Sequence, residues 1–380
     1  MMPKPIYLDH ASTTPVDPRV LKAMLPYFSE IYANPSSIHE GGRKAREKVA
    51  TARNAVAKIL HCLPEEIIFT SGGTESINLA IKSLALPKGN GHIITSTIEH
   101  PAVLETCRYL KTKGFVVTYL PVDKYGLISP ADVIKSICQD TILISIMYAN
   151  NEIGTIQPIA EIGKIAKKYK IPFHSDTCQA GMLDLDVRKL NVDLLTLNSS
   201  KIYGPKGVGI LYVKKGISLE PLHHGGGQEF GLRSGTENVP GIVGFAAALE
   251  LIQKKRVKEN TRLSALRDDF IQQILTTIPH STLNGHPTRR LPNNINISFA
   301  GVEAEAVVHY LSQQGIFVSS GSACSSQEIE ISHVLKALGL PEKWTRGSVR
   351  FSLGRTTTKK ELDIVFIALK EIISSLRRLF

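Results

Sequence analysis

Three short stretches of this chain carry residues able to do chemistry on a small molecule, and a fourth carries an oddly placed thiol. "FTSGGTES" sets Gly72, Gly73 and Thr74 where a strand would turn into a helix. Successive backbone N–H groups and a helix dipole there make a phosphate seat, a weak signal taken alone. "FHSDTCQ" places Asp176 and Gln179 just beyond a second strand, and "LNSSKIYGPKG" places Lys201 beyond a third. An aspartate, a lysine and a phosphate seat together match what pyridoxal phosphate requires. The amine forms a Schiff base, and the carboxylate keeps the pyridine nitrogen protonated. For any one of these residues a surface charge or a turn cap is the commoner role, so the joint placement carries the reading. "SSGSACSS" (319–326) surrounds Cys324 with glycine, alanine and serine. Such neighbours bury little apolar area, so packing gives no reason for them.

These stretches need a scaffold, and the pattern supplies one. "EEIIFT", "GHIITS", "FVVTYLPV", "TILISIMYAN", "IPFHSD", "VDLLTLNSS" and "VGILYV" read as strands, alternating with helical segments such as "AREKVATARNAVAKIL". That alternation predicts an α/β fold whose mainly parallel sheet is covered on both faces and binds its ligand at the strand ends. After "GGGQEFGLRSGTENVPG" the pattern changes to a long helix over 242–277, the strand "NNINISFA", a helix over 303–313, "IFVSS" and a last helix from 361. This predicts a large cofactor-binding domain over 15–257 and a smaller α+β domain from 1–14 and 258–380.

Composition narrows the class. The chain has 380 residues, 43% of them hydrophobic and 21% charged, without a low-complexity tract, as in an ordinary globular protein. The formal charge of +11 comes from scattered basic residues, locally grouped over 164–170 and 254–258 on helix-like segments. No basic stripe with interleaved aromatics stands out, so nucleic-acid binding is disfavoured. No apolar run approaches a membrane span, and five cysteines without a CxxC pair or a signal peptide point to a reducing cytoplasm. Cys62, Cys107 and Cys138 fall in helix-like contexts where a buried free thiol is the ordinary outcome. GxGxxG, GxxxxGK[ST] and HExxH motifs are absent, and the adjacent His223 and His224 have poor spacing for metal ligands.

The order of motifs resembles one family. "YLDHASTTP", "NPSSIHEGGRKAR", "FTSGGTESINLAI", "TIEHPAV", "NNEIGTIQP", "HSDTCQA", "KIYGPKG", "RSGTEN", "SSGSACSS" and "VRFSLGRTTT" follow those of the NifS/IscS-type cysteine desulfurases. These belong to the class-V aminotransferases, fold type I pyridoxal-phosphate enzymes with a seven-stranded sheet. The resemblance implies that Lys201 is the Schiff-base lysine and that His100 stacks on the cofactor ring and joins in proton transfer. It implies that Asp176 pairs with the pyridine nitrogen and Gln179 with the ring oxygen, with Asn151 near cofactor and substrate. Gly73 and Thr74 would seat the phosphate, joined by Thr236 from a neighbouring subunit, so a homodimer with composite sites is expected. Arg350 resembles the clamp for the substrate carboxylate, with Asn34 as helper. Cys324, on a mobile loop near 322–332, would attack the sulfur of L-cysteine with a lowered thiol pKa, leaving L-alanine and a persulfide. The sulfur would pass to an iron–sulfur scaffold or a tRNA-thiolation protein.

One departure stands out. The family has serine or threonine, any residue, histidine, then the lysine, whereas this chain reads Asn198, Ser199, Ser200, Lys201. Asn198 and Ser200 can still donate hydrogen bonds to the cofactor, so affinity and rate are in question rather than reaction type. A selenocysteine lyase or other pyridoxal-phosphate lyase, and a cofactor-binding scaffold with little turnover, are the alternatives.

Overall fold

The computed structural model describes residues 5–320 and 332–379. Seven strands form the main sheet: β1 (Ile67–Thr70), β2 (His92–Ser96), β3 (Val116–Leu120), β4 (Thr141–Ser145), β5 (Phe173–Asp176), β6 (Leu194–Asn198) and β7 (Gly209–Val213). Their order is β1-β7-β6-β5-β4-β2-β3. Strand β7 runs antiparallel to both β1 and β6, and the other pairs are parallel. Strands β1, β2 and β5 are buried at every position, as strands covered on both faces require. The edge strand β3 is half-exposed, with Val116 open to solvent.

Helices cover both faces. They include α1 (Glu40–Leu60), α2 (Gly73–Ala85), α3 (Pro101–Thr112), α4 (Ile159–Tyr169) and the first half of α5 (Val239–Thr277), whereas α6 (Lys359–Leu379) packs in a second core. The buried positions of α1 are Gly42, Ala45, Val49, Ala52, Val56, Ala57 and Leu60, spaced at helical periodicity on one stripe. His39 caps its start, its side chain accepting from Gly42 N. The basic groups of α4 and α5 lie on these helices, as the sequence pattern predicts.

A second body of core lies around the antiparallel strands Ser348–Ser352, Asn294–Phe299 and Ser281–Leu283. Helix α5 joins the two: Phe245 and Leu249 pack in the first core, Leu263 and Phe270 in the second. The division at 257/258 therefore falls inside one continuous helix of 39 residues, about 58 Å long. The N-terminal strand Ile6–Tyr7 pairs in parallel with Ile316–Phe317. Among the described residues, no helix is long and apolar enough to cross a membrane.

Two local readings are corrected. Only Cys107 is a buried helical thiol; Cys62 follows the left-handed cap His61 of α1, and Cys138 is exposed beyond the helix Pro130–Ser136. The run "TILISIMYAN" is a strand only as far as Ser145. Beyond it Met147 N donates to the Glu99 carboxylate, at 3.0 Å from each oxygen, and the Asn150 side chain bonds Ile98 O. A carboxylate thus takes the backbone donor that a strand would give to a neighbour.

One buried ion pair ties α1, β1 and the segment before α5. Arg53 donates to both oxygens of Glu229, at 2.9 and 2.6 Å, while Glu229 Oε2 also accepts from Phe69 N at 2.8 Å. Glu229 and the next residue, Phe230, both have left-handed backbone, a strain that the fixed carboxylate holds in place. Removing one partner of such a pair leaves an uncompensated charge. Glu229→Ala is expected to lose about 3 kcal/mol of unfolding free energy in a denaturant titration, and Glu229→Gln less.

Candidate active site

The strand ends gather the polar residues in one place. β1 and β6 end on the same edge as β2, β4 and β5, and a cleft of about 870 Å³ opens there. Of the residues singled out in the sequence, its walls include Lys201, His100, Gly73, Thr74, Asn151, Asp176, Gln179, Asn198 and Arg350. Ser200, Asn34 and Thr236 do not line it. Ser200 donates its N–H and hydroxyl to Asn198 Oδ1, both at 3.2 Å. Asn34 and Thr236 are exposed, and Asn34 Oδ1 accepts from Ser36 N at 2.9 Å. Cys324 and its loop up to residue 331 lie outside the described residues.

Each side chain is set by the element below it. Asp176 is the last residue of β5, and its Oδ1 accepts from Cys178 N at 2.9 Å. Lys201 follows β6 after one tight turn, Ser199–Lys201, and its amine donates to the Ser12 carbonyl. Gln179 Nε2 donates to Ala11 O at 2.9 Å. Arg350 lies mid-strand in Ser348–Ser352, opposite Asn296, and reaches the cleft 3% exposed. It donates to Asn151 O at 3.0 Å, Asp9 Oδ1 at 2.9 Å and Ser12 Oγ at 2.7 Å.

His100 caps α3: its Nδ1 accepts from Ala102 N at 3.1 Å. That bond puts the proton of the neutral ring on Nε2. Burial lowers its pKa, nearby Lys201 and His333 lower it further, and Asp176 opposes them.

The first turn of α2 is built for an anion. No side chain caps its start at Gly72, so orphan N–H groups face the cleft beside Thr74 and Asn198. A Cβ on Gly73 would come within 2.8 Å of Cys178 Sγ, so the backbone approaches closely here. The donor set therefore fits pyridoxal phosphate: an anion seat for the phosphate, a carboxylate at Asp176 that would pair with the ring nitrogen, and an amine at Lys201. Asn198 turns its Oδ1 to Ser200, which leaves its amide N–H₂ as the donor available to the phosphate.

Sequence reasoning missed Asp9, Ser12, Glu99, Glu152 and His333. The first, second and last two line the cleft, while Glu99 lies fully buried behind His100. Glu99 and Glu152 sit inside the quoted motifs "TIEHPAV" and "NNEIGTIQP", beside His100 and Asn151, and that adjacency was the available signal. Glu152 accepts from Ser332 Oγ at 2.5 Å, and His333 Nε2 donates to Glu99 O at 2.9 Å. Burial pushes the Cys178 thiol well up, and the charge of Asp176 adds to it.

The family model for class-V aminotransferases matches residues 6–365. "Cysteine desulfurase IscS" of Methanosarcina thermophila is 52% identical over 99% of this chain and 94% of its own. A solved structure, "NIFS-LIKE PROTEIN", superposes with a TM-score of 0.92 at 40% identity, covering 98% of this chain and 100% of the other. Another, "SspA in complex with cysteine", gives 0.82 at 41% identity, covering 92% and 98%.

Burial raises the Glu99 carboxyl to about 8, with Ser96 and Met147 hydrogen bonds opposing and the Asp176 charge adding. The folded chain then keeps a proton that the unfolded chain has released above its ordinary carboxyl value. This contribution to stability is full below about pH 4.5 and falls as pH rises toward about 8. Thermal melts across that window should show a decline that Glu99→Gln, a mimic of the neutral form, lacks.

Proposed function

The chain belongs to the class-V aminotransferase family, and we propose that this cleft is the site of a pyridoxal-phosphate-dependent cysteine desulfurase. It removes sulfur from L-cysteine and leaves L-alanine, with the sulfur held as a persulfide on Cys324. One observation carries the reading: Lys201, Asp176 and an uncapped helix start share a cleft with a buried arginine. Relatives alike over nearly the whole chain favour desulfuration over the selenocysteine-lyase and scaffold alternatives.

Lys201, Asp176, Gln179, Thr74, Asn198 and the backbone of Gly73 would hold the cofactor, with Asn151 bordering it and Ser200 orienting the Asn198 amide. Pyridoxal phosphate, when bound, supplies a sink for the electrons left as the α-proton of the amino acid departs. Lys201 takes that proton as general base, and Asp176 supports a protonated ring nitrogen. Arg350 binds the substrate carboxylate, with Asn34 as a helper once the chain is assembled. His100, with its proton on Nε2, can donate to the sulfur-bearing part of the substrate. The Cys324 thiolate attacks the substrate sulfur: an S–S bond forms, the C–S bond breaks, and its electron pair ends as a C–H bond of alanine.

A homodimer suits two features. Thr236 is exposed and does not line its own cleft, which agrees with its serving the phosphate seat of a neighbouring subunit. Leu25, Phe28, Tyr32, Ile38 and Phe230 are exposed large apolar residues that a subunit interface would cover. All four described cysteines are free, in keeping with a reducing cytoplasm. The persulfide sulfur would pass to an acceptor such as an iron–sulfur scaffold or a tRNA-thiolation protein.

Purified protein loaded with pyridoxal phosphate should release alanine from L-cysteine over many turnovers with a thiol reductant present. Cys324→Ala and Lys201→Ala should each abolish it. A yellow, cofactor-loaded protein that makes no alanine would overturn the reading.

A further inference from the structure

The proposed chemistry gives the motif "YLDHASTTP" no role, yet its turn touches two of the cleft's cations. The Ser12 carbonyl accepts from the Lys201 amine. Ser12 Oγ accepts from Arg350 Nη2 at 2.7 Å and donates to Asp9 Oδ1 at 2.8 Å. Asp9 Oδ1 accepts from the same Nη2 at 2.9 Å. With Nη1 bonded to Asn151 O at 3.0 Å, three of the five guanidinium hydrogens are committed to the protein. Arg350 Nε, buried and without a hydrogen-bond partner among the described residues, is one of the two that remain.

The turn that holds the arginine is itself held. Leu8 N donates to Phe317 O at 2.8 Å, and Ser352 N donates to Leu8 O at 2.7 Å. Ala11 N donates to Ser352 Oγ at 2.8 Å, and the Tyr7 hydroxyl donates to Asp9 O at 3.0 Å. The Asp9 carboxylate therefore sits at a fixed point relative to the strand that carries Arg350. A planar guanidinium bonded through both Nη2 hydrogens and one Nη1 hydrogen has its plane fixed, and its second Nη1 hydrogen is left to offer to a ligand.

We propose that Asp9 is a positioning residue for substrate recognition: it holds Arg350 so that the remaining Nη1 hydrogen and the charge of the guanidinium meet the carboxylate of the amino-acid substrate. This rests on the reading of Arg350 as the carboxylate clamp. The negative charge is what matters, because a guanidinium only 3% exposed requires a charged partner to keep its place. Ser12 contributes a neutral acceptor to the same hydrogen-bond set and therefore acts in the same sense but more weakly.

The test uses the loaded holoenzyme and two ligands that differ by one group, L-cysteine and cysteamine, which lacks the carboxylate. In Asp9→Asn, an isosteric change that keeps an acceptor, KM for L-cysteine should rise about tenfold or more. The dissociation constant of L-alanine, read without turnover from the cofactor's absorbance, should rise with it. Affinity for cysteamine and kcat should stay near the parent values, the mark of lost ground-state binding. Ser12→Ala should show a smaller shift with the same selectivity, and serves if Asp9→Asn folds poorly. Equal weakening of L-cysteine and cysteamine would reveal a merely structural role and overturn the proposal. Arg350→Lys separates the two readings. If it loses the preference for the carboxylate and Asp9→Asn keeps it, the Asp9 proposal alone fails. If Arg350→Lys also keeps the preference, the clamp reading falls and the proposal with it.

Discussion

The structure turns on a buried guanidinium and the carboxylate that accompanies it. Arg350 lies on the second, smaller sheet, while the amine of Lys201 stands on the main sheet. The turn over 9–12 reaches both, by an ion pair to one and a backbone carbonyl to the other. The relative placement of the two sheets is thus registered at the cleft by a few short polar contacts. Helix α5 does the same by bulk, burying one half in each core. Packing sets the coarse position, and the polar turn sets the fine one.

The cleft balances charge by environment as much as by pairing. Burial raises the carboxyls of Glu99 and Glu152 and lowers the imidazole of His100, each a shift toward the neutral form. The charges left for chemistry are Asp176 at the end of β5, Arg350 with Asp9, and the amine on the turn after β6. In so buried a setting each charge acts more strongly on a bound molecule than it would in water.

Much of this is legible in the order of residues because the scaffold is periodic. Apolar strands alternating with helices imply the parallel sheet, and short polar motifs after the strands point to Asp176, Gln179, Lys201 and the glycine turn. Pairing across the chain is what stays hidden. Asp9 and Arg350 are 341 residues apart, and nothing local to either announces the other. The run "TILISIMYAN" reads as too long a strand because its apolar content continues after its backbone has turned to Glu99. Cys62 and Cys138 mislead for a similar reason: helical composition persists past the caps that end each helix. Ser200 reads as a cofactor donor, but its hydroxyl is already engaged by Asn198 next door.

The thiols bear on where mobile sulfur can go. A persulfide hands its outer sulfur to whatever thiolate reaches it, the enzyme's own included. Cys178 stands in the cleft wall, yet its raised thiol leaves almost no thiolate at neutral pH. Cys62 and Cys107 are pushed up to about 12 by burial. Cys138 bonds His92 and Thr141, which begin β2 and β4, so it lies at the opposite edge of the sheet from the cleft. The fold is in this sense chemically deaf to its own product: sulfur loaded at the cleft meets no competing nucleophile among the described cysteines and stays available for export.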